Sequence, residues 1–301
     1  MVGTLLRTII IKESAPQMRL SATSLAAPAL VGVALSAFLP NAARADDQPF
    51  VTIYTTDIQP EHGREFEQWL TWKAGHAGES SNDFRWRSEL EYGITDDLQG
   101  ALYLNYDWSR VRPHNPSGPA DTADFVGASG ELIWRVMNVY FDPFGLAFYI
   151  EPAFNAHEYS FETKLLLQKN FFNDHLRGAV NINFEDVWER NSPNPRIKSS
   201  ALEIDAGLSY NVTPEFSVGA ELDNERGFDG LVLGGSSTGV SNAFFLGPTI
   251  QYVGHPWTVT FGAQTQLPWA SNPEHTPGGV VNGYTADAEH FRMTLRISRD
   301  F

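Results

Sequence analysis

The last fifteen residues of the chain, 287–301, constrain the fold more than any other stretch. Phe291, Met293, Leu295 and Ile297 fall on one parity with Phe301 closing the row, while His290, Arg292, Thr294, Arg296, Ser298 and Asp300 fall on the other. Successive side chains of a strand point to opposite faces, so this segment has one apolar and one strongly polar face; a helix would scatter both sets around its surface. Two kinds of structure use such a strand. One is the amphipathic edge of a soluble sheet, and the other is a transmembrane barrel, where one face meets lipid and the other a polar interior. Arg299 departs from the pattern, standing where a barrel strand calls for an apolar residue.

The rest of the chain repeats the design. Runs of the same alternation occupy residues 64–73, 83–94, 98–108, 124–136, 146–157, 161–169, 176–188, 201–212, 216–225, 243–253 and 257–266. In the first of them Phe66, Leu70 and Trp72 oppose Glu65, Glu67, Thr71 and Lys73, and Trp69 breaks the rule by falling on the polar side. No amphipathic helix of useful length follows the leader, so the chain reads as all-β. Residues 95–97, 170–175, 213–215 and 254–256 are short connections, whereas 109–123, 189–199, 227–241 and 268–286 are long and rich in Pro, Gly, Ser and Asn. A soluble sandwich has no reason to segregate its loops in this way; an outer-membrane barrel has short periplasmic turns and long external loops. The expectation is an antiparallel up-and-down transmembrane β-barrel of about twelve strands, with the short turns in the periplasm. Residues 90–104 and 208–222 match without gaps at Leu, Tyr, Thr and Leu around a short turn, which reads as one turn solution used twice. Trp72, Trp86, Trp108, Trp134, Trp188, Trp257, Tyr140 and Tyr210 lie near strand ends, where interfacial girdles place such rings.

Compartment follows from the amino-terminal end. Residues 25–39 are apolar and precede Ala43-Arg44-Ala45, a small-x-small cleavage pattern, so residues 1–45 read as a removed signal peptide. Met18-Arg19, directly before the apolar run, offers a more ordinary start than Met1. There are no cysteines, hence no disulfide, no thiolate metal site and no acceptor for a lipid anchor. The leader carries Arg7, Lys12, Arg19 and Arg44 against Glu13, so the formal charge of −15 becomes −18 without it. That balance excludes nucleic acid as a partner, since phosphates need a basic surface. Residues 46–63 are expected as an amino-terminal periplasmic segment and 64–301 as the barrel; the short strand over 50–56 is left over from the count, as part of that segment, as an inward-folded strand or as a sign of a further strand pair.

Two stretches carry a resemblance. The apolar-alternating last strand ending in Phe301 is similar to the terminal signal of bacterial outer-membrane barrels, which implies that the assembly machinery of the Gram-negative outer membrane reads it. "FRWRSELEYGITDDLQGALYLNY" (84–106), preceded by "REFEQWLTW" (64–72), resembles an uncharacterised family of proteobacterial outer-membrane β-barrels. That resemblance implies a fold and a location and brings no substrate.

On this reading Glu65, Glu67, Arg85, Arg87, Glu89, Glu91, Glu131, Arg135, Glu151, Glu162, Lys164, Arg177, Glu185, Glu203, Asp205, Glu221, Asp223, Arg292 and Arg296 face the lumen. Arg292, Arg296, Arg85 and Arg87 would form a basic stripe with Glu65, Glu67, Glu89 and Glu91 as acidic neighbours, opposite an acidic stretch at Glu203, Asp205, Glu221 and Asp223. Opposed stripes of this kind tune which solutes pass a pore. The expected function is a channel or uptake protein for small solutes, with a closed structural or surface barrel as the alternative and an outer-membrane hydrolase as the second. The eight His residues are scattered and no G-x-S-x-G elbow occurs, so no catalytic residue is assigned. No cofactor is expected, and no metal site, because no two His stand at ligand spacing on one strand. Deleting Phe301 is expected to reduce the heat-modifiable, folded form recovered from the outer membrane; undiminished insertion would show that the terminal row is not an assembly signal.

Overall fold

The computed structural model describes residues 48–76, 79–112, 120–155, 158–189, 198–232, 237–270, 279–285 and 288–301. The proposed leader lies outside them, as do the tips of four long loops at 113–119, 190–197, 233–236 and 271–278. Twelve antiparallel strands close into one barrel: β1 (Arg64–His76), β2 (Glu79–Thr95), β3 (Leu98–Arg112), β4 (Ala120–Met137), β5 (Gly145–Phe154), β6 (Glu158–Phe171), β7 (Leu176–Glu189), β8 (Lys198–Asn211), β9 (Phe216–Asp229), β10 (Thr238–Gly254), β11 (Trp257–Gln266) and β14 (Phe291–Asp300). Between the last two, β12 (Val280–Val281) and β13 (Tyr284–Thr285) pair as a two-rung hairpin. Each wall strand pairs with its sequence neighbour, and β14 pairs with β1 to close the ring. All of the alternating runs in the sequence therefore become wall strands.

Several strands run further than their alternation. β3 and β4 extend to Arg112 and back from Ala120, so most of the expected 109–123 loop is ladder; β9 and β10 likewise extend to Asp229 and from Thr238. A crossing needs only about 9–11 residues. Beyond the apolar band both faces meet water, so the two-fold pattern fades in the sequence while the backbone ladder continues.

The outward parity is apolar and exposed: Leu90, Leu102, Leu104, Leu132, Phe148, Ile204, Leu208, Leu246 and Ile250 stand on it. Rings gather at both ends. Trp72, Phe84, Trp86, Trp108 and Phe291 form one run of contacts on the long-loop side, with centroids 5.4–6.3 Å apart. On the short-turn side Trp134 meets Phe148 at 6.3 Å. There the irregular Arg299 finds its reason: its guanidinium lies 5.1 Å over the Trp257 ring, a cation on an interfacial aromatic.

The amino-terminal segment corrects an expectation. Residues 50–56 form no strand, and residues 48–59 are not a separate periplasmic piece: Gln48, Phe50, Val51, Ile53, Thr55, Thr56, Ile58 and Gln59 are buried inside the barrel. An eight-strand barrel fills with its own side chains, whereas twelve strands leave a central space. The segment takes that space.

Leu104→Arg should lower folding stability in lipid vesicles by about 2–4 kcal/mol, the cost of an arginine near the bilayer midplane. A denaturant titration with an unchanged midpoint would place this face away from lipid.

Candidate functional site

The inner segment runs around the wall, and the wall is cut to receive it. From Pro60 backward it passes β2, β3, β4, β5, β6, β7, β8 and β9 in turn and ends against β10, β11 and β14. Side chains of successive strands hold its backbone. Gln99 Oε1 accepts from Gln59 N–H (2.7 Å), Gln168 Oε1 from Thr56 N–H (2.7 Å) and Asn181 Oδ1 from Tyr54 N–H (2.7 Å). Glu221 Oε1 accepts from Val51 N–H at 2.5 Å, and Gln251 Nε2 donates to Gln48 O at 2.8 Å. A chain without ladder partners must satisfy its backbone some other way, and here the lumen wall supplies the groups.

Where the segment presses closest, the wall carries glycine. A Cβ at Gly93 would lie 1.9 Å from Pro60 O, at Gly145 2.1 Å from Thr56 Oγ1, at Gly207 2.6 Å from Phe50 Cε1 and at Gly262 2.4 Å from Val51 Cγ2. These four sit on the inward parity of β2, β5, β8 and β11. Small apolar clusters complete the seat: Phe50 and Ile53 with Ala179, and Ile58 with Ile133, Ala147, Tyr149 and Leu166.

Of the charged residues expected in the lumen, Glu65, Glu67, Glu89, Glu91, Asp205, Glu221, Asp223, Arg292 and Arg296 are buried in the interior. Glu203 is half-buried, opposite Glu225 in the ladder, and Asp205 stands opposite Asp223. Arg87 is half-buried, and Arg85, towards the long-loop mouth, is exposed beside Asp107 at 3.6 Å. Phe301 is half-buried, its N–H donating to Arg64 O at 3.1 Å across the closing seam.

The stripes are not two walls facing each other across open space. Arg292 reaches over β11 and β10 to Asp223, at 2.5 Å, and to Glu225. Arg296 lies 3.7 Å from Glu67, donates to Gln48 O and covers the Trp69 ring at 5.1 Å. Arg87 lies over Tyr103 at 4.6 Å with Glu151 at 3.9 Å. An unpaired charge in a desolvated interior carries a penalty of several kcal/mol, so long guanidinium side chains cross to carboxylates. The acidic row is likewise engaged: Thr52 Oγ1 donates to Glu221 Oε2 (2.6 Å), and Gln264 Nε2 to Asp223 Oδ2 (2.6 Å). In the loop above β14, burial works against the charge of Glu289, but Lys73 at 2.9 Å and Arg292 overcome it and hold the carboxyl at about 2.

Sequence reasoning missed the seat. Its signal was present on the inward parity, where Gly93, Gly145, Gly207 and Gly262 and the apolar Ile133, Tyr149 and Leu166 interrupt a largely polar row. Trp69 belongs to the same set, a platform for Arg296 and not an error of register.

Gly207→Val is expected to push Phe50 and Ile53 off the wall, an overpacking cost of about 1–3 kcal/mol. In a chain without native cysteine, a Thr52→Cys reporter should then react with a soluble thiol reagent on the order of tenfold faster. Equal rates with and without Gly207→Val would mean the segment does not rest on this track.

The same architecture occurs in solved structures. An outer-membrane channel from Pseudomonas putida F1 superposes with a TM-score of 0.58 at 13% identity, covering 84% of this chain and 100% of that one. The β domain of a Bordetella autotransporter gives 0.50 at 9% identity, covering 79% and 99%. These likenesses concern the fold. No curated protein sequence matches the chain. Residues 42–296 match the model of a family of unknown function (DUF6662), and the chain belongs to that family.

Proposed function

We propose that the chain is an outer-membrane channel for small hydrophilic solutes, kept shut by its own inner segment. Residues 1–45 export it, the apolar row ending in Phe301 presents it to the assembly machinery, and the barrel 64–301 sits in the lipid of the Gram-negative outer membrane with its short turns in the periplasm. The observation that carries the reading is the chemistry of the seat. Gln99, Gln168, Asn181, Glu221 and Gln251 hold the segment by hydrogen bonds that water can replace. Each such bond contributes a net of only about 0.5–1.5 kcal/mol. A segment so held can leave, and the wall it leaves behind is polar enough to stay wet. The small apolar clusters at Ala179 and Ile133 oppose release and set the closed state as the resting one. Carboxylates on the inner wall outnumber the guanidinium groups that cross to them, which favours cations among the solutes.

Planar bilayers test this. The full chain should show rare, brief openings, and Gly207→Val with Gly262→Val should raise the open fraction more than tenfold. Silence from both proteins would establish the closed structural barrel in place of a channel, and equal, steady conductance from both would show that the segment is not a gate.

A further inference from the structure

At the short-turn end of the β1–β2 pair, four carboxylates form a square. Glu65 stands directly opposite Glu91 and Glu67 directly opposite Glu89 on the inner face of the ladder. Directly opposed residues on one face have Cβ atoms about 4.5–5.5 Å apart, and like charges there repel. All four are buried, none more than 4% exposed. Carboxylate oxygens of Glu67, Glu89 and Glu91 lie within 4.8 Å of one another.

The donors around the square are unevenly shared. Trp69 Nε1 donates to Glu67 Oε2 at 2.7 Å, and Arg296 approaches Glu67 Oε1 at 3.7 Å. Arg87, the cation next along β2, is engaged with Tyr103 and Glu151. Both oxygens of Glu89 are buried and, among the described residues, no N–H or hydroxyl group donates to them. From the inner segment, Gln59 Nε2 donates to Glu65 Oε2 (2.6 Å) and Glu91 Oε2 (3.2 Å), while Gln59 Oε1 is itself buried without a partner. The orphaned oxygens of Glu89 belong to the acidic group itself, whereas Gln59 Oε1 lies on the Gly63 side of its carboxamide.

We propose that Glu67, Glu89 and Glu91 bind a hard divalent cation of the Ca²⁺ type. Calcium takes six to eight oxygen ligands at about 2.3–2.6 Å in flexible geometry, so ligand oxygens on opposite sides of one ion stand about 4.6–5.2 Å apart. Three carboxylate oxygens within 4.8 Å of one another fit it. Mg²⁺, with ligands at about 2.0–2.1 Å in strict octahedral order, fits a flat pair of strands less well. The cation answers the repulsion and the empty lone pairs together, and Glu91, which accepts from Gln59 Nε2, joins the site to the inner segment. The site stands without the channel reading, because its test reads binding and not conductance.

The folded chain in detergent is titrated with Tb³⁺, whose emission is sensitised by a nearby indole. Trp69, already bonded to Glu67, is placed for that transfer. Saturable emission at micromolar Tb³⁺, displaced by Ca²⁺ more readily than by Mg²⁺, is expected. Glu89→Gln should weaken it at least tenfold, and Glu215→Gln, on an exposed turn, should leave it unchanged. Glu91→Gln is the second variant, and heat-modifiable mobility verifies the fold of each. Absence of emission below millimolar Tb³⁺, the result expected if protons shared among the carboxylates neutralise the square, overturns the proposal, as does an affinity that neither Glu89→Gln nor Glu91→Gln moves.

Discussion

Closure of the sheet is the constraint from which the rest of the molecule follows. In hydrocarbon no water can satisfy a strand edge, so the N–H and C=O groups of β1 and β14 must find each other, as they do from Glu65 opposite Asp300 to Ala74 opposite Phe291. Closing the ring commits every residue to one of two faces. A single slip in register would turn Glu65 and Glu67 to the lipid and Phe66 and Leu70 to the interior, which explains why the alternation is so strict in the membrane band and lapses beyond it.

The interior then has to be made tolerable. Twelve strands enclose more space than their inward side chains fill, and much of the inner wall is charged. Residues 48–59 occupy the space, satisfying their backbone on Gln99, Gln168, Asn181 and Glu221, while Gly93, Gly145, Gly207 and Gly262 make room for them. The segment and the wall are complementary, since the backbone groups of the one find their partners on the side chains of the other.

Charges obey the same rule at longer reach. Arg292 joins β14 to β9 across two intervening strands, and Arg296 links Glu67 to the backbone of Gln48, so the guanidinium groups serve as struts between wall and wall and between wall and segment. The corner at Glu65, Glu67, Glu89 and Glu91 is where this device runs short of cations. The same interior that pairs Arg292 with Asp223 and Glu225 leaves both oxygens of Glu89 with none.

The sequence by itself determined the wall. Alternation is a local property with a period of two, and it is legible wherever one face is held in lipid; each of the runs from 64–73 to the last strand is a strand of the barrel. Parity, which follows from alternation, also sorts the charged residues of each strand onto one face. Only the tertiary structure decided what those residues do there. That residues 48–59 turn inward, that Gly207 and Gly262 are their seat, and that Arg292 crosses to Asp223 depend on closure bringing together strands far apart in the chain. No local pattern encodes such distances: an inward arginine has the same parity whether it lines an open pore or bridges a filled one.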